Sequence, residues 1–228
     1  MSTVLINQDN LAVKFNPNIY DLVYADCIYE REDLFWVYKY WNTVKPGGIF
    51  MIQTDYHTVA LYKMLLDCLG TMVNWCIYLN EWGGTAKDRF TRKHDDILIY
   101  CKGKEWKWYP DRIQIEKKTA GTAFDKKGTG QKTPCDVFYD HVSFSTMSNE
   151  RVKLEDGKGI QWQKPMWLAE RLLLPFTDEG DFVLDPFMGS GTFGEWCVRN
   201  NRNYTGIELD PEVFKLAEKR IHGISKGY

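Results

Sequence analysis

The sequence predicts an α/β fold, a sheet whose strands are joined by helical crossovers. Short apolar runs alternate along the chain with stretches of helical periodicity, which is the pattern of βαβ units. A glycine turn stands between one such run and one such stretch, where a crossover begins. The 228 residues, 44% apolar and 26% charged, suffice for one domain over residues 1–228 with a full core, and no disulfide or metal staple is needed. Apolar runs fall far short of a membrane span, and the first residues lack the charged and apolar regions of an export signal. A cytoplasmic protein with no membrane contact is therefore expected.

Taken in order, Thr3 to Ile6 reads as a short strand and Tyr20 to Ala25 as a buried one ending at Asp26. Leu34, Val37, Tyr38 and Trp41 recur at i, i+3, i+4 and i+7 and predict a helix with that face buried. Lys45-Pro46-Gly47-Gly48 stops it before a strand from Ile49 to Gln53. A helix from Val59 to Leu69, a strand from Val73 to Leu79 and an apolar run from Ile97 to Tyr100 follow. Over residues 103–156 the periodicity is lost among Lys, Gly, Thr and Asp with isolated aromatics such as Trp106, Trp108 and Tyr109. That segment is an insertion, and long insertions in compact domains are usually functional or disordered. Regular structure resumes with a helix from Pro165 to Leu174, a strand from Phe182 to Leu184, a glycine loop, and a helix through Arg199. A strand from Tyr204 to Ile207 and a helix marked by Val213, Leu216, Ala217 and Ile221 close the chain.

The net charge of −2 argues against a protein that coats nucleic acid non-specifically, but it hides a split. Lys87 to Lys132 carries 13 Lys and Arg against 7 Asp and Glu, so a basic segment sits in an acidic body. It fits either a solvated surface or a local polyanion contact. The six cysteines contain no C-x-x-C pair, so no zinc site or redox motif is expected and the thiols read as reduced.

A strand, a Gly-x-Gly turn, a helix and a second strand ending in an acid are the parts of a nucleotide-type pocket. Gly189, Gly191 and Gly194 supply the glycines and Glu208 the acid suited to a ribose diol. The glycines alone also fit a tight turn without a ligand. Asp185 at the mouth of the loop sharpens the reading, because a carboxylate there repels a pyrophosphate and favours a cationic headgroup. S-adenosylmethionine carries an ammonium, a sulfonium and a ribose, and no phosphate.

Val183-Leu184-Asp185-Pro186-Phe187-Met188-Gly189-Ser190-Gly191-Thr192, followed by Tyr204-Thr205-Gly206-Ile207-Glu208-Leu209-Asp210, resembles the cofactor-binding half of DNA amino-methyltransferases. The resemblance extends to Gln163-Lys164-Pro165, to Leu168 through Leu173, to Arg92 through Tyr100, to Lys45-Pro46-Gly47-Gly48 and to Asn7-Gln8-Asp9. The order, with Asp26 before the insertion and Asp185 after it, resembles the permuted beta group that acts on adenine N6 or cytosine N4. It implies a circularly permuted Rossmann-like S-adenosylmethionine-dependent methyltransferase fold, a seven-stranded mixed sheet with helices on both faces. Thr3 to Ile6 is then expected beside the strand that ends at Glu208. It also assigns S-adenosylmethionine to Asp9, Asp26, Lys164, Asp185, Phe187, Gly189, Gly191, Thr192, Glu208 and Leu209, with no metal.

The family's transfer loop is Asp-Pro-Pro-Tyr or a variant, and the matching tetrad here is Asp26-Cys27-Ile28-Tyr29. The resemblance gives Asp26 and the Cys27 carbonyl the two hydrogens of a target amine and gives Tyr29 the face of an extruded base. Loss of both prolines removes their fixed φ and stiffness. A thiolate mechanism at Cys27, a lone-His role for His94, a catalytically impaired DNA-binding protein and a dinucleotide oxidoreductase are the rival readings. The expected activity is methyl transfer to a DNA base, adenine N6 before cytosine N4 because Asp opens the tetrad, in a bacterial or phage restriction-modification setting. The insertion over 103–156, with the basic segment, is the candidate target-recognition region, and its shortness leaves room for a second copy or a partner protein to complete it.

Overall fold

Alternating burial along the strands sorts the apolar side chains onto two faces of one sheet. The computed structural model describes residues 1–27, 33–79, 85–126, 128–138, 150–153, 157, 159–160 and 162–224. Tyr29 and Ile28 of the expected transfer tetrad lie outside the described residues. In chain order the elements are β1 (Thr3–Asn7), β2 (Tyr20–Asp26), α1 (Phe35–Thr43), β3 (Val44–Thr54), α2 (Val59–Asp67), β4 (Thr71–Leu79) and β5 (His94–Cys101). A 3-10 turn (Pro110–Ile113), β6 (Ile115–Glu116), β7 (Gln131–Lys132) and β8 (Val137–Phe138) make up the described part of the insertion. Then come α3 (Met166–Leu173), β9 (Phe182–Asp185), α4 (Thr192–Arg199), β10 (Asn203–Glu208) and α5 (Pro211–Ile224).

The main sheet has the order β1-β10-β9-β2-β3-β5-β4-β8, and β6 and β7 form a separate ribbon. Seven of these strands match the expected sheet; the eighth, β8, is a two-residue contribution of the insertion beside Ile77 and Tyr78. The sheet is mixed because β5 runs antiparallel between β3 and β4. β1 pairs with β10 in parallel, Asn7 opposite Glu208, as the permuted order implied.

Leu22 and Tyr24 of β2, Ile49 and Met51 of β3 and Ile97 and Ile99 of β5 pack under α3, α4 and α5, against Leu172, Trp196 and Ile221. Their neighbours Val23, Phe50, Ile52, Leu98 and Leu184 point to the other face and meet Trp36 and Tyr40 of α1 and Tyr62 and Leu66 of α2. Period-2 side-chain alternation thus yields three layers. Lys45 to Gly48 is absorbed as a bulge: Tyr20 pairs with Val44 and Leu22 with Ile49, so the extra residues loop out, with Gly47 at φ +79°.

The face of α1 differs from the expected one. Trp36, Val37, Tyr40 and Trp41 are buried, whereas Tyr38 is 47% exposed. Aromatic residues occur on both sides of the helix, and tertiary partners choose between them: the Tyr40 hydroxyl donates to the Asn10 carbonyl at 2.7 Å and Trp36 meets Phe187 edge-on.

The second layer carries a direct test. Leu66 is fully buried beneath α2, so Leu66→Ala is expected to lower unfolding stability by about 2–5 kcal/mol. Urea denaturation followed by circular dichroism measures this, and an unchanged midpoint would mean that α2 does not close that face.

Candidate active site

The carboxyl ends of parallel strands converge on one edge of the sheet, and the acids of this chain stand there. Asp26 ends β2, Asp185 ends β9 and Glu208 ends β10, with Gln8, Asp9 and Asn10 following β1. They line a cavity of about 580 Å³ whose apolar walls include Phe187, Phe193 and Tyr24. Of the sequence-designated residues, Asp9, Asp26, Cys27, Lys164, Asp185, Phe187, Gly189, Thr192, Glu208 and Leu209 border it.

The glycine loop is built by backbone geometry. Gly189 and Gly191 have φ of +52° and +77°, where an L side chain is strained, and this lets the chain turn from β9 into α4. Gly194 has a different use: a Cβ there would lie 2.5 Å from Ile221 and 2.6 Å from Tyr204, so its absence lets α4 approach α5 and β10. Glu208 holds the turn, accepting from the Gly189 N–H and the Asp210 N–H, each at 2.9 Å.

Asp185 is 2% exposed and accepts from the Phe187 N–H at 3.1 Å and the Tyr204 hydroxyl at 3.3 Å. Burial pushes its carboxyl up to about 8; the Phe187 N–H opposes this and the charge of Asp26 adds to it. The acid expected at the mouth of the loop is therefore buried, and without a cation beside it is largely protonated at neutral pH. Burial also pushes Asp26 up to about 6, with Lys164 holding it down and Asp95 raising it. At neutral pH Asp26 is thus the ionised member of the pair.

Lys164 borders the cavity, and its ammonium contacts two protein carboxylates, Asp26 at 3.1 Å and Asp95 at 3.4 Å. Thr192 fixes the lysine backbone by donating to its carbonyl at 2.9 Å. The Cys27 side chain is 3% exposed, its Sγ lying 3.6 Å from the Gln53 carbonyl and 3.7 Å from the Tyr62 hydroxyl, and burial pushes the thiol up to about 12. A thiolate nucleophile is excluded by that environment. His94 sits 3.9 Å from Asp96 at the start of β5, outside the cavity lining. Among the described residues no group of three or more His, Cys, Asp and Glu is placed to hold a metal ion, and no helix is long and apolar enough to cross a membrane.

Several contributors had no sequence signal. Asn10, 8% exposed, donates to the Pro186 carbonyl at 3.2 Å and ties the segment after β1 to the glycine loop. Tyr24 and Phe193 stack at 3.7 Å between ring centres. Gln53 and Asp95 stand behind Asp26, and only the spatial neighbourhood reveals them.

The basic segment divides in two. Lys107 pairs with Asp181 at 2.6 Å and Arg112 with Asp178 at 2.9 Å, just before β9 and so at the sheet edge opposite the cavity. Lys117 pairs with Asp125 at 2.5 Å inside the insertion. Residues 85–93, by contrast, connect β4 to β5 at the cavity edge, with Lys87, Asp88, Arg89 and Phe90 exposed.

Residues 24–219 match the N6 and N4 methyltransferase family described as DNA methylase. The chain belongs to the DNA methylase family. It is 49% identical over 191 residues to the type II methyltransferase M2.DpnII of Streptococcus pneumoniae, covering 82% of this chain and 65% of that protein. It is 30% identical over 197 residues to the type II methyltransferase M.HpaI of Haemophilus parainfluenzae, covering 85% of this chain and 59% of that one. The chain thus spans less than two thirds of either relative's length. The crystal structure of the M1.HpyAVI–SAM complex superposes with a TM-score of 0.69 at 21% identity, over 96% of this chain and 99% of that one, a likeness of fold. A DNA methylase is what the resemblance of the glycine-loop motifs and of their order along the chain had implied.

The buried acid predicts a pH effect on stability. Asp185 binds its proton more tightly when folded, at about 8 against an ordinary 3.8, so its carboxyl favours the folded state only at low pH and that advantage is lost as pH rises between these values. Asp185→Asn mimics the protonated group and is expected to melt progressively higher than the wild type as pH is raised from 5 to 8. A melting difference that stays constant over that range would refute the assignment.

Proposed function

We propose that this chain transfers a methyl group from S-adenosylmethionine to the exocyclic amino group of a base in DNA, with adenine N6 as the target. The observation that carries the reading is the placement of Asp26, from the tetrad that resembles the family's transfer loop, on the same cavity as Glu208, Asp185 and Gly189 of the glycine turn. Family membership and the cofactor named in the M1.HpyAVI complex support it.

The residues present fit that cofactor. The cavity lies within the roughly 300–1,000 Å³ of small-molecule sites; it is apolar on its walls and acidic at two points. S-adenosylmethionine supplies a methyl group on a positively charged sulfur. We assign Glu208 to the ribose diol, Asp9, Phe187 and Leu209 to the adenine end, and Gly189 to close backbone approach; Gly191 is outside the cavity lining, and its missing Cβ makes room for Ala217 and Ile221 of α5 rather than for a ligand. Asp185 would meet the ammonium, which requires it to release its proton, and Thr192 and Lys164 support that side of the cavity. Asp26 accepts one hydrogen of the target amine, the Cys27 carbonyl accepts the other, and Tyr29 stacks on a base drawn out of the duplex. Two acceptors orient the nitrogen lone pair and exclude water from it.

For the duplex we assign residues 85–93, at the same sheet edge as the cavity, as a phosphate contact: Lys87 and Arg89 are exposed, Arg89 with Asp88 at 3.7 Å, whereas Lys107, Arg112 and Lys117 are held by aspartates at 2.5–2.9 Å. The rest of the insertion over 103–156 is assigned to target reading, and a second copy or a partner protein to its completion. The cytoplasm, where DNA and reduced thiols coexist, is the proposed location.

Expression of the chain in a host lacking DNA methylation, followed by sequencing that distinguishes methylated adenine from methylated cytosine, tests the reading. N6-methyladenine at one short sequence is expected with the wild type and none with Asp26→Ala, while calorimetry shows S-adenosylmethionine binding within a few-fold in both. Methylcytosine would move the target to N4, and binding of NAD without S-adenosylmethionine would overturn the assignment.

The charge assignment has its own test. Each phosphate contact contributes about 0.9 to the slope of log affinity against log salt, so Lys87→Ala with Arg89→Ala is expected to flatten that slope by up to about two units, whereas Lys107→Ala leaves it unchanged. The reverse result would place the duplex at the opposite edge of the sheet.

A further inference from the structure

Behind Asp26 lies a buried chain of polar groups. The Tyr24 hydroxyl donates to Gln53 Oε1 at 2.7 Å, Gln53 Nε2 donates to Asp95 Oδ2 at 3.0 Å, and the same Asp95 oxygen meets the Lys164 ammonium at 3.4 Å. Lys164 then reaches Asp26 at 3.1 Å. Gln53 is fully buried and Asp95 is 1% exposed, so this arrangement is held by the interior of the sheet. Register explains it: Asp26 pairs with Gln53 across β2 and β3, and Gln53 with Ile97 across β3 and β5, which brings the start of β5 to the edge where Asp26 stands.

We infer that Asp95 is a positioning residue for the transfer site, holding Lys164 between two carboxylates so that the lysine charge is shared and Asp26 keeps its acceptor capacity. The inference rests on the methyl-transfer reading only for the purpose of that capacity; the arrangement itself is independent of it. A single ammonium that faced Asp26 alone would form a closed pair with it and occupy oxygen lone pairs that the target amine needs. An ammonium absent altogether would leave a buried carboxylate that takes up a proton and becomes a donor. Sharing with Asp95 lies between the two.

The charged and titratable groups around the cluster come from every strand packed on it. Among the described residues they are Asp26 and Tyr24 of β2, Tyr78 of β4, Asp95 of β5, and Asp185 of β9, on which the charge of Asp26 acts. Arg92 stands just outside, 3.7 Å from Asp95 and 2.7 Å from Asp55. Its nearer partner is Asp55, so Lys164 is the cation that Asp95 presents to Asp26.

The free protein, labelled with carboxyl-carbon-13 aspartate, reports the ionisation of Asp26 by NMR, the signal being identified by its loss in Asp26→Asn. Asp95→Asn is expected to lower the Asp26 titration midpoint by about one pH unit, because the lysine then serves one carboxylate, and Lys164→Gln to raise it by about one unit or more. The double variant should fall between the two. Asp95→Glu, which keeps the charge, should stay near the wild type. An Asp26 midpoint that does not move in Asp95→Asn, or moves upward, overturns the proposal. Should Asp95→Asn fail to fold, the Lys164→Gln shift decides: no upward movement means the lysine does not serve Asp26. In methylation assays both single variants are expected to lose turnover, and Asp95→Asn, which lies outside the cavity lining, to keep its cofactor affinity. A wild type that methylates no DNA while the titration shifts hold would sink the functional reading and leave the role of Asp95 standing.

Discussion

One ammonium among buried carboxylates is the constraint on which the site depends. A carboxylate removed from water is costly unless its charge is answered, and loss of one partner of such a pair is far more damaging than loss of both. Lys164 answers Asp26 and Asp95 at once. It reaches them because Pro165 starts α3 beneath the sheet and because Thr192, the first residue of α4, holds the lysine carbonyl. Arg220 from α5 in turn donates to Thr192 at 2.9 Å and pairs with Glu195. The helices of one face are therefore joined by a chain of hydrogen bonds and ion pairs to the acids at the strand ends.

Asp185 shows the opposite solution. Among the described residues its hydrogen-bond partners are a backbone N–H and a tyrosine hydroxyl, and burial makes its proton hard to remove. A site that keeps an unanswered buried acid gives up stability at neutral pH and gains affinity for whatever cation enters, an exchange often met at functional sites. Asp26 is the less buried of the two, its side chain 17% exposed against 2% for Asp185, and it has the lysine beside it; both differences hold its proton affinity below that of Asp185. Strand register makes the pair possible, since a slip of one residue in β2 or β9 would turn either acid to the other face.

Much of the architecture was legible in the sequence. Period-2 runs located the long strands, and the glycine loop with its flanking acids located the cavity, because these signals are local. The face of α1 was not legible: Trp36, Tyr38, Tyr40 and Trp41 put aromatic surface on both sides, and the deciding contacts come from Asn10 and Phe187. Gln53 and Asp95 were missed for the same reason, their partners lying 42 and 69 residues away along the chain. The basic segment misled through its sum. Its charge is positive only when counted alone, and Asp178 and Asp181, from beyond the segment, fold back onto Lys107 and Arg112. The apolar run at Ile97 to Tyr100 carried no sign that β5 would run antiparallel, since strand direction is a property of the neighbours.

The loss of both prolines from the transfer tetrad looks, in sequence, like a loss of stiffness. At the first of the two positions the structure supplies another source of it. Proline restricts the chain locally by removing φ freedom from the unfolded and folded states alike. Cys27 is restricted from outside: β2 is zipped to β3 as far as Asp26 opposite Gln53, and the cysteine side chain is sunk between the Gln53 carbonyl and the Tyr62 hydroxyl of α2. The carbonyl that the proposed chemistry asks of Cys27 is thus aimed by the core rather than by a ring. That makes its rigidity conditional on α2 staying packed, which a proline's would not be. It also explains a small polarizable side chain at this position, since sulfur fills the gap under α2 while its high proton affinity keeps the thiol chemically silent beside Asp26.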